Sequence, residues 1–356
     1  MGRVLYVILS NIDNNNSGPS VRSLSILNAF KRINGNELDV IKGKNSRERY
    51  EQLKRLIKKG QIYDFCYIES RVGVTRYLDT KLLLALKQKL KINKIGIYYR
   101  DMYWNYNIFF SENKLRNMLI PIANKLYLKF LASICDVFFV QSESFKRALR
   151  NFLPTTTQIE LLPPGCENIK VSHSEAPETM EAIYVGEIDP IFSGVDLLIE
   201  TFKIINQRQK LCLNLVCREN EYKINLDLQK ANNMYDWLKI SHHTKSNIGE
   251  VYNRADVAII PRSGNEYTKL CLPVKLFEYI SYERPVIAVN HGEVSQFISK
   301  TGIGVVTNDN PVDFANSILN IINSKKKYME VVTNIKKLKQ KSTWEQRVID
   351  IKKILS

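Results

Sequence analysis

Residues 251–289 read VYNRADVAIIPRSGNEYTKLCLPVKLFEYISYERPVIAV, and the fold follows from how this stretch divides. Residues 251–255 close a helix. Residues 256–261 are a short apolar run of buried-strand type, ended by Pro261. Residues 262–272 are polar and hold one glycine, which predicts a loop. Pro273 suits the first turn of a new helix, where a missing N–H costs nothing. That helix runs over 274–282, and 285–289 is the next strand. A strand, a loop and a helix N-terminus, in that order, form the place where an open α/β sheet takes anionic ligands, because free N–H groups and the helix dipole favour phosphate there.

Lys275 falls in the first turn of this helix, and Glu278, three residues on, shares its face. Lysine suits a nucleotide's diphosphate and glutamate suits the ribose hydroxyls. The same spacing also suits a surface ion pair. Outward from this stretch the string resembles the nucleotide-sugar-binding signature of GT-B glycosyltransferases, especially the retaining family-4-like group, which reads roughly "Y..AD....P" and then "P.K..EY...G.PVIA". Tyr252, Ala255-Asp256, Pro261, Pro273, Lys275, Glu278-Tyr279 and Pro285-Val286-Ile287-Ala288 carry the match. The resemblance implies an α/β chain of two Rossmann-like domains with parallel sheets facing a central cleft. The expected division is 1–165 for the acceptor, 166–340 for the donor, and 341–356 as a helix returning to the first domain.

With 356 residues and 44% hydrophobic content, the chain is long enough for two cores. Its net charge of +16 is uneven. Residues 1–165 carry a net of +14, residues 166–324 a net of −5, and the last 32 residues a net of +7. The first half is therefore expected to meet an anionic surface or partner. The six cysteines include no Cys-x-x-Cys pair, as in a reduced, cytoplasmic protein. His242-His243 is the one histidine cluster, and neighbours on a strand point to opposite faces, so no metal site is expected. No targeting signal and no spanning apolar stretch are read. The expected location is cytoplasmic, peripheral on the inner face of the cell membrane.

Residues 4–9 are a buried strand, 11–20 a loop, 21–33 a helix with Val21, Leu24, Leu27, Ala29 and Phe30 on one face, and 38–41 a second strand, a βαβ opening without the G-x-G-x-x-G fingerprint. In the family the corresponding loop, often Gly-Gly and then Arg, faces the acceptor. Gly18, Ser20 and Arg22 stand in that place, with Pro19 for the second glycine; a plain connecting loop is the alternative. The strand at 94–99 ends in Arg100-Asp101. The resemblance puts a histidine that reaches the transferred sugar where Arg100 stands, so Arg100 and Asp101 are the candidate catalytic pair, a structural salt bridge being the alternative. Residues 102–131 mix Tyr103, Trp104, Tyr106, Phe109, Phe110, Tyr127 and Phe130 with Lys114, Arg116, Lys125 and Lys129. That composition suits a bilayer interface, stacked single-stranded bases, or a core beside solvated lysines. Tyr103 and Trp104 are acceptor candidates. The lysine run 325–327 is the one stretch beyond the loops read as possible disorder.

The second domain opens with a strand at 182–186. Relatives read "VGR......KG" here, with Arg and Lys on the donor diphosphate. Glu187 and Ser193 replace both cations, which moves the diphosphate to Lys275, helped by Lys269 or Arg262, or else marks impaired activity. The strand 238–241 and His242 are implied to lie against the base. The donor set is therefore Gly186, Glu187, Ser241, His242, Arg262, Lys269, Lys275, Leu276 and Glu278. The family's Glu-x7-Glu motif would place its first carboxylate on Leu270, with Glu266 nearby.

These readings converge on a bacterial-type transferase that moves a sugar, a UDP-sugar being favoured, to a glycan or lipid-linked acceptor in surface polysaccharide or glycolipid synthesis. Retention is implied, with no metal and no cofactor beyond the nucleotide-sugar co-substrate. If the enzyme inverts, Asp101 is the base. The expected partners are the nucleotide sugar, the acceptor, an anionic membrane surface, and another copy or a partner glycosyltransferase; no nucleic acid is expected. The alternative is a degenerate GT-B protein that binds without turnover.

Overall fold

The computed structural model describes residues 2–12, 18–106, 113–171, 180–189, 193–244, 247–262 and 264–356. Phe109 and Phe110 lie outside these. The chain divides into two compact units, residues 1–165 with 344–356, and residues 166–343.

The first unit runs β1 (Val4–Ile8), α1 (Gly18–Asn34), β2 (Leu38–Ile41), α2 (Ser46–Lys59), β3 (Ile62–Glu69), α3 (Tyr77–Lys89), β4 (Lys91–Tyr98), α4 (Lys114–Ile134), β5 (Val137–Val140), α5 (Glu143–Arg150) and β6 (Gln158–Leu161). Its six strands are all parallel, in the order β2-β1-β3-β4-β5-β6. The continuous apolar runs of β1 and β5 are buried along their whole length, as parallel strands covered on both faces must be. Ser142 caps α5 through the Phe145 N–H at 3.1 Å.

The second unit runs β7 (Glu181–Val185), α6 (Val195–Asn206), β8 (Cys212–Val216), α7 (Glu219–Ile224), α8 (Leu226–Met234), β9 (Leu238–Ser241), α9 (Ile248–Arg254), β10 (Val257–Ile260), α10 (Val274–Ser281), β11 (Val286–Val289), α11 (Gly292–Thr301), β12 (Gly304–Thr307), α12 (Pro311–Ile322) and α13 (Lys325–Gln340). Its parallel sheet has the order β12-β11-β10-β7-β8-β9. α14 (Trp344–Leu355) belongs to the first unit, where Trp344 is buried beside Gly165 and Lys94 Nζ donates to the Ile354 carbonyl at 3.3 Å.

Both sheets reverse direction next to their first strand. In the first unit β1 lies between β2 and β3; in the second, β7 lies between β10 and β8. Loops leaving the carboxyl ends of neighbouring strands diverge at such a point and open a crevice.

Four expectations need correction. The run 325–327 is ordered: it opens α13, which Ser324 caps and which buries Val331, Val332 and Ile335. Gly18, Pro19 and Ser20 are the first turn of α1 rather than loop, and Pro19 fits there because that turn lacks N–H acceptors. Val21 and Leu24 are only partly covered, and the buried face of α1 includes Arg22, Ser23 and Ser25. Pro273 caps α10 from just outside it, which makes Lys275 the second helical residue.

Candidate active site

In the second unit the signature assembles around the β7–β10 switch point. Two of its residues build the framework. Asp256 Oδ2 accepts the Glu181 N–H at 2.8 Å and so ties the start of β10 to that of β7. These strands pair only through Val257–Ala182 and Ala258–Ile183, then part. The fully buried Tyr279 hydroxyl fills the widening gap: it accepts the Val185 N–H at 3.1 Å and donates to the Ile259 carbonyl at 3.3 Å. Gly194, with φ of 71°, closes the crevice, since a Cβ there would lie 2.4 Å from the Pro261 carbonyl oxygen.

Lys275 and Glu278 rise into this crevice from α10. The Lys275 ammonium lies 4.5 Å from the centroid of the Tyr184 ring, whose hydroxyl donates to the Glu187 carbonyl at 2.5 Å. It also lies so close to Gly186 that a Cβ there would meet Nζ at 2.5 Å. Burial, with Arg262 nearby adding repulsion, pushes the lysine down to about 7, against the pull of Glu187 and Glu278. Glu278 accepts the buried Tyr252 hydroxyl at 2.9 Å. Among the described contacts the two residues form no i,i+3 ion pair with each other; each is held by a tyrosine. Arg262 and Lys275 line one pocket with Thr268 and His291.

The other donor-side candidates divide. Glu187 is exposed, and Ser193 is buried in the local turn that leads into α6. Ser241 Oγ donates to Asn214 at 2.8 Å, and His242 Nδ1 lies 2.9 Å from the Cys217 carbonyl beside the Tyr222 ring. Both sit at the carboxyl end of β9, facing the carboxyl end of β8. Lys269 instead makes an exposed ion pair with Glu266 at 2.5 Å, so the carboxylate that stood near the missing motif position is engaged at the surface. The Leu276 side chain is core, and only its backbone remains to meet a ligand. His291 was missed, because nothing in its sequence neighbourhood marks it. The Thr268 hydroxyl gives its proton to the Asn265 carbonyl at 2.9 Å, so it accepts from His291 Nε2 at 3.1 Å. The tautomer assigned here is therefore Nε2–H.

The first unit holds a second constellation at its own switch point. Glu69, fully buried at the end of β3, accepts Arg22 Nε at 3.2 Å and the Tyr67 hydroxyl at 2.9 Å on one oxygen, and Arg100 Nη2 at 3.0 Å on the other. Arg100 Nη2 also reaches Ser23 Oγ at 3.1 Å, and the Arg22 guanidinium lies 3.5 Å over the Tyr98 ring. The expected partner of Arg100 was Asp101; the bridge runs to Glu69, which sequence spacing did not reveal. Burial pushes the Asp101 carboxyl up to about 7, with Arg100 pulling the other way. Trp104 is buried, donating to the Tyr99 hydroxyl at 3.2 Å and packing on Phe152, so it serves the core rather than an acceptor. Tyr127 is buried too. Tyr103 is half-buried, Ser20 is buried, and Gly18 is exposed.

Residues 180–324 match the family model described as glycosyl transferases group 1. No curated protein sequence matches the chain. Among solved structures, the fold is similar to sucrose-phosphate synthase from Thermosynechococcus elongatus at 15% identity and a TM-score of 0.70, covering 99% of this chain and 98% of that one. It is similar to Anabaena HepE in complex with UDP at 12% identity and a TM-score of 0.69, covering 99% of both chains. It is also similar to WaaG, a glycosyltransferase involved in lipopolysaccharide biosynthesis, at 12% identity and a TM-score of 0.63, covering 98% of this chain and 99% of that one. The chain thus has the GT-B fold, and residues 180–324 of its second unit are a group 1 glycosyltransferase domain.

Proposed function

We propose that the protein is a retaining, metal-independent glycosyltransferase that moves a sugar from a UDP-sugar to a membrane-associated glycan or lipid-linked acceptor. The observation that carries this reading is the lysine of the signature, half-buried in the first turn of α10 at the switch point, with Glu278 one turn on. A donor diphosphate would add counter-charge to that of Glu187 and Glu278 around Lys275, and the same cation and helix N-terminus would offset the charge that grows on the leaving group. Lys275, with Arg262, thereby takes over the work of the cations replaced by Glu187 and Ser193. Glu278, steadied by Tyr252, takes the ribose. UDP is preferred because HepE, of similar fold, was solved with UDP. Retention and independence of metal follow from the resemblance of the signature.

The membrane part of the proposal rests on α4. Leu115, Met118, Leu119, Ile122 and Leu126 form a helical stripe, each at least half exposed, with exposed Lys114, Arg116, Lys125 and Lys129 around it. Such a face suits the boundary of an anionic bilayer. No helix among the described residues is long and apolar enough to cross a membrane.

The test is a thermal-shift series with UDP, GDP, ADP, TDP and CMP, each with a sugar conjugate, in EDTA. Stabilisation by UDP and its conjugates, undiminished by EDTA, is expected. A flat series, or stabilisation that needs a divalent cation, would contradict the reading.

A further inference from the structure

Arg22 and Arg100 bring two guanidinium groups to the carboxyl ends of β3 and β4, and one buried carboxylate, Glu69, answers both. Both arginines are more than nine-tenths buried. Arg22 Nη1 and Arg100 Nε have no hydrogen-bond partner among the described residues. A buried, charged donor without an acceptor is costly, and a net buried cation costs more. Asp101 next door offsets the excess only in part, because burial pushes its carboxyl up to about 7. The two arginines are anchored from different elements, α1 and the strand end after β4. Their positions are fixed by Tyr67, Tyr98, Ser23 and the Ser70 hydroxyl, which accepts the Arg100 backbone N–H at 3.2 Å. The exposed Gly18 and Pro19 at the head of α1 lie in the turn just before Arg22.

We infer that the acceptor taken by the first unit carries an anionic group, a phosphate or carboxylate, that docks on Arg22 and Arg100. This rests on the reading of the first unit as the acceptor side, and it assigns a charge to a substrate that the resemblance leaves open. A planar fork matches a carboxylate or phosphate edge, and the two forks here have one carboxylate between them. A histidine, which the family pattern has in place of Arg100, would offer one such donor and no fixed charge.

The experiment is calorimetric titration of the full chain carrying Lys275→Ala, which removes the main donor-side cation, with inorganic phosphate, glucose 6-phosphate, glucuronate and glucose. Saturable binding of phosphate and glucose 6-phosphate, weakened roughly tenfold or more by Arg100→Gln or Arg22→Gln, is expected for a phosphate site. Preference for glucuronate, lost in the same variants, would identify a carboxylate instead and equally support the inference. Binding that survives both substitutions, or no binding of any anion, would overturn it and leave the arginines as ties between α1, β3 and β4. Should Arg100→Gln fail to fold, Arg100→Lys keeps the charge without the fork and is expected to weaken the anion severalfold. The Arg100 Nε–H signal in NMR gives a readout free of stability: a shift on adding phosphate or glucuronate supports the site, and no shift contradicts it. UDP binding by Arg100→Gln with Lys275 intact separates this outcome from failure of the donor assignment.

Discussion

Lys275 pays for its place in the ligand-free protein. Its titration lies below the usual lysine value because it is covered by Tyr184 and Gly186 and faces Arg262. Unfolding returns it to about 10.4. The unfolded chain therefore binds more protons between about 7 and that value, and the lysine's contribution to stability grows as pH rises through this window. Donor binding has the opposite sign. A bound diphosphate raises the lysine's pKa, so affinity is fully present below about 7 and falls as pH rises above it. Calorimetry from pH 6.5 to 8.5 should show UDP binding weaken severalfold, and Lys275→Arg should flatten the profile because a guanidinium stays charged. A flat profile in the unaltered protein would count against the assignment. Lys275 and Glu278 were legible because their spacing on one helix face is local. Glu69 was not: its partners Arg22 and Arg100 lie 47 and 31 residues away in sequence, and only the sheet order brings them together. His291 joins the pocket for the same reason.

At the scale of elements, strands could be read from apolar runs because a parallel sheet covered on both faces demands them. The residues that join one element to another could not. Tyr279 is an example: it looks like a recognition residue beside Glu278, yet its hydroxyl bridges β7 and β10. Tyr279→Phe leaves a buried N–H and a buried carbonyl unpaired, with an expected cost of about 1–3 kcal/mol in urea unfolding. An unchanged midpoint would refute the bridge. The turn after α10 offers a contest of two effects. Glu283 stands where the family pattern has glycine and holds φ at 57°, a strained value for any other residue. Its carboxylate meets the buried Lys339 ammonium of α13 at 3.0 Å. Glycine would relieve about 1 kcal/mol of strain, but an unpaired buried lysine costs about 3–5 kcal/mol. Glu283→Gly should therefore destabilise, and adding Lys339→Met should restore most of the loss; a stabilised single variant would show that strain dominates. Around α4, the sequence drew attention to the aromatic residues, of which Trp104 and Tyr127 belong to the core. The exposed stripe is aliphatic. Leu119→Glu with Leu126→Glu should abolish sedimentation with anionic liposomes while leaving the melting temperature within a degree or two. Unchanged sedimentation would remove the membrane assignment.

Taken whole, the molecule keeps its charge in one unit. The first carries 30 Lys and Arg against 15 Asp and Glu, a net of +15, and the second 22 against 21. The sequence alone joined the lysines of 325–341 to the basic half; the structure places them on α13 in the second unit, where the acidic residues of 166–324 balance them. The basic unit is also the one with α4 and the arginine pair, so a lipid surface and an anionic acceptor would meet the same unit, with long-range attraction that weakens as salt is added. On the proposed function, the nearly neutral unit would hold its nucleotide chiefly through Lys275, helped by Arg262. Calorimetric titration of UDP into the unaltered protein and into Lys275→Ala tests that claim most directly. Affinity in the variant should fall at least tenfold while its melting temperature holds or rises, since a cation whose surroundings disfavour its charge has been removed. Unaltered affinity in Lys275→Ala would show that the donor diphosphate is held elsewhere.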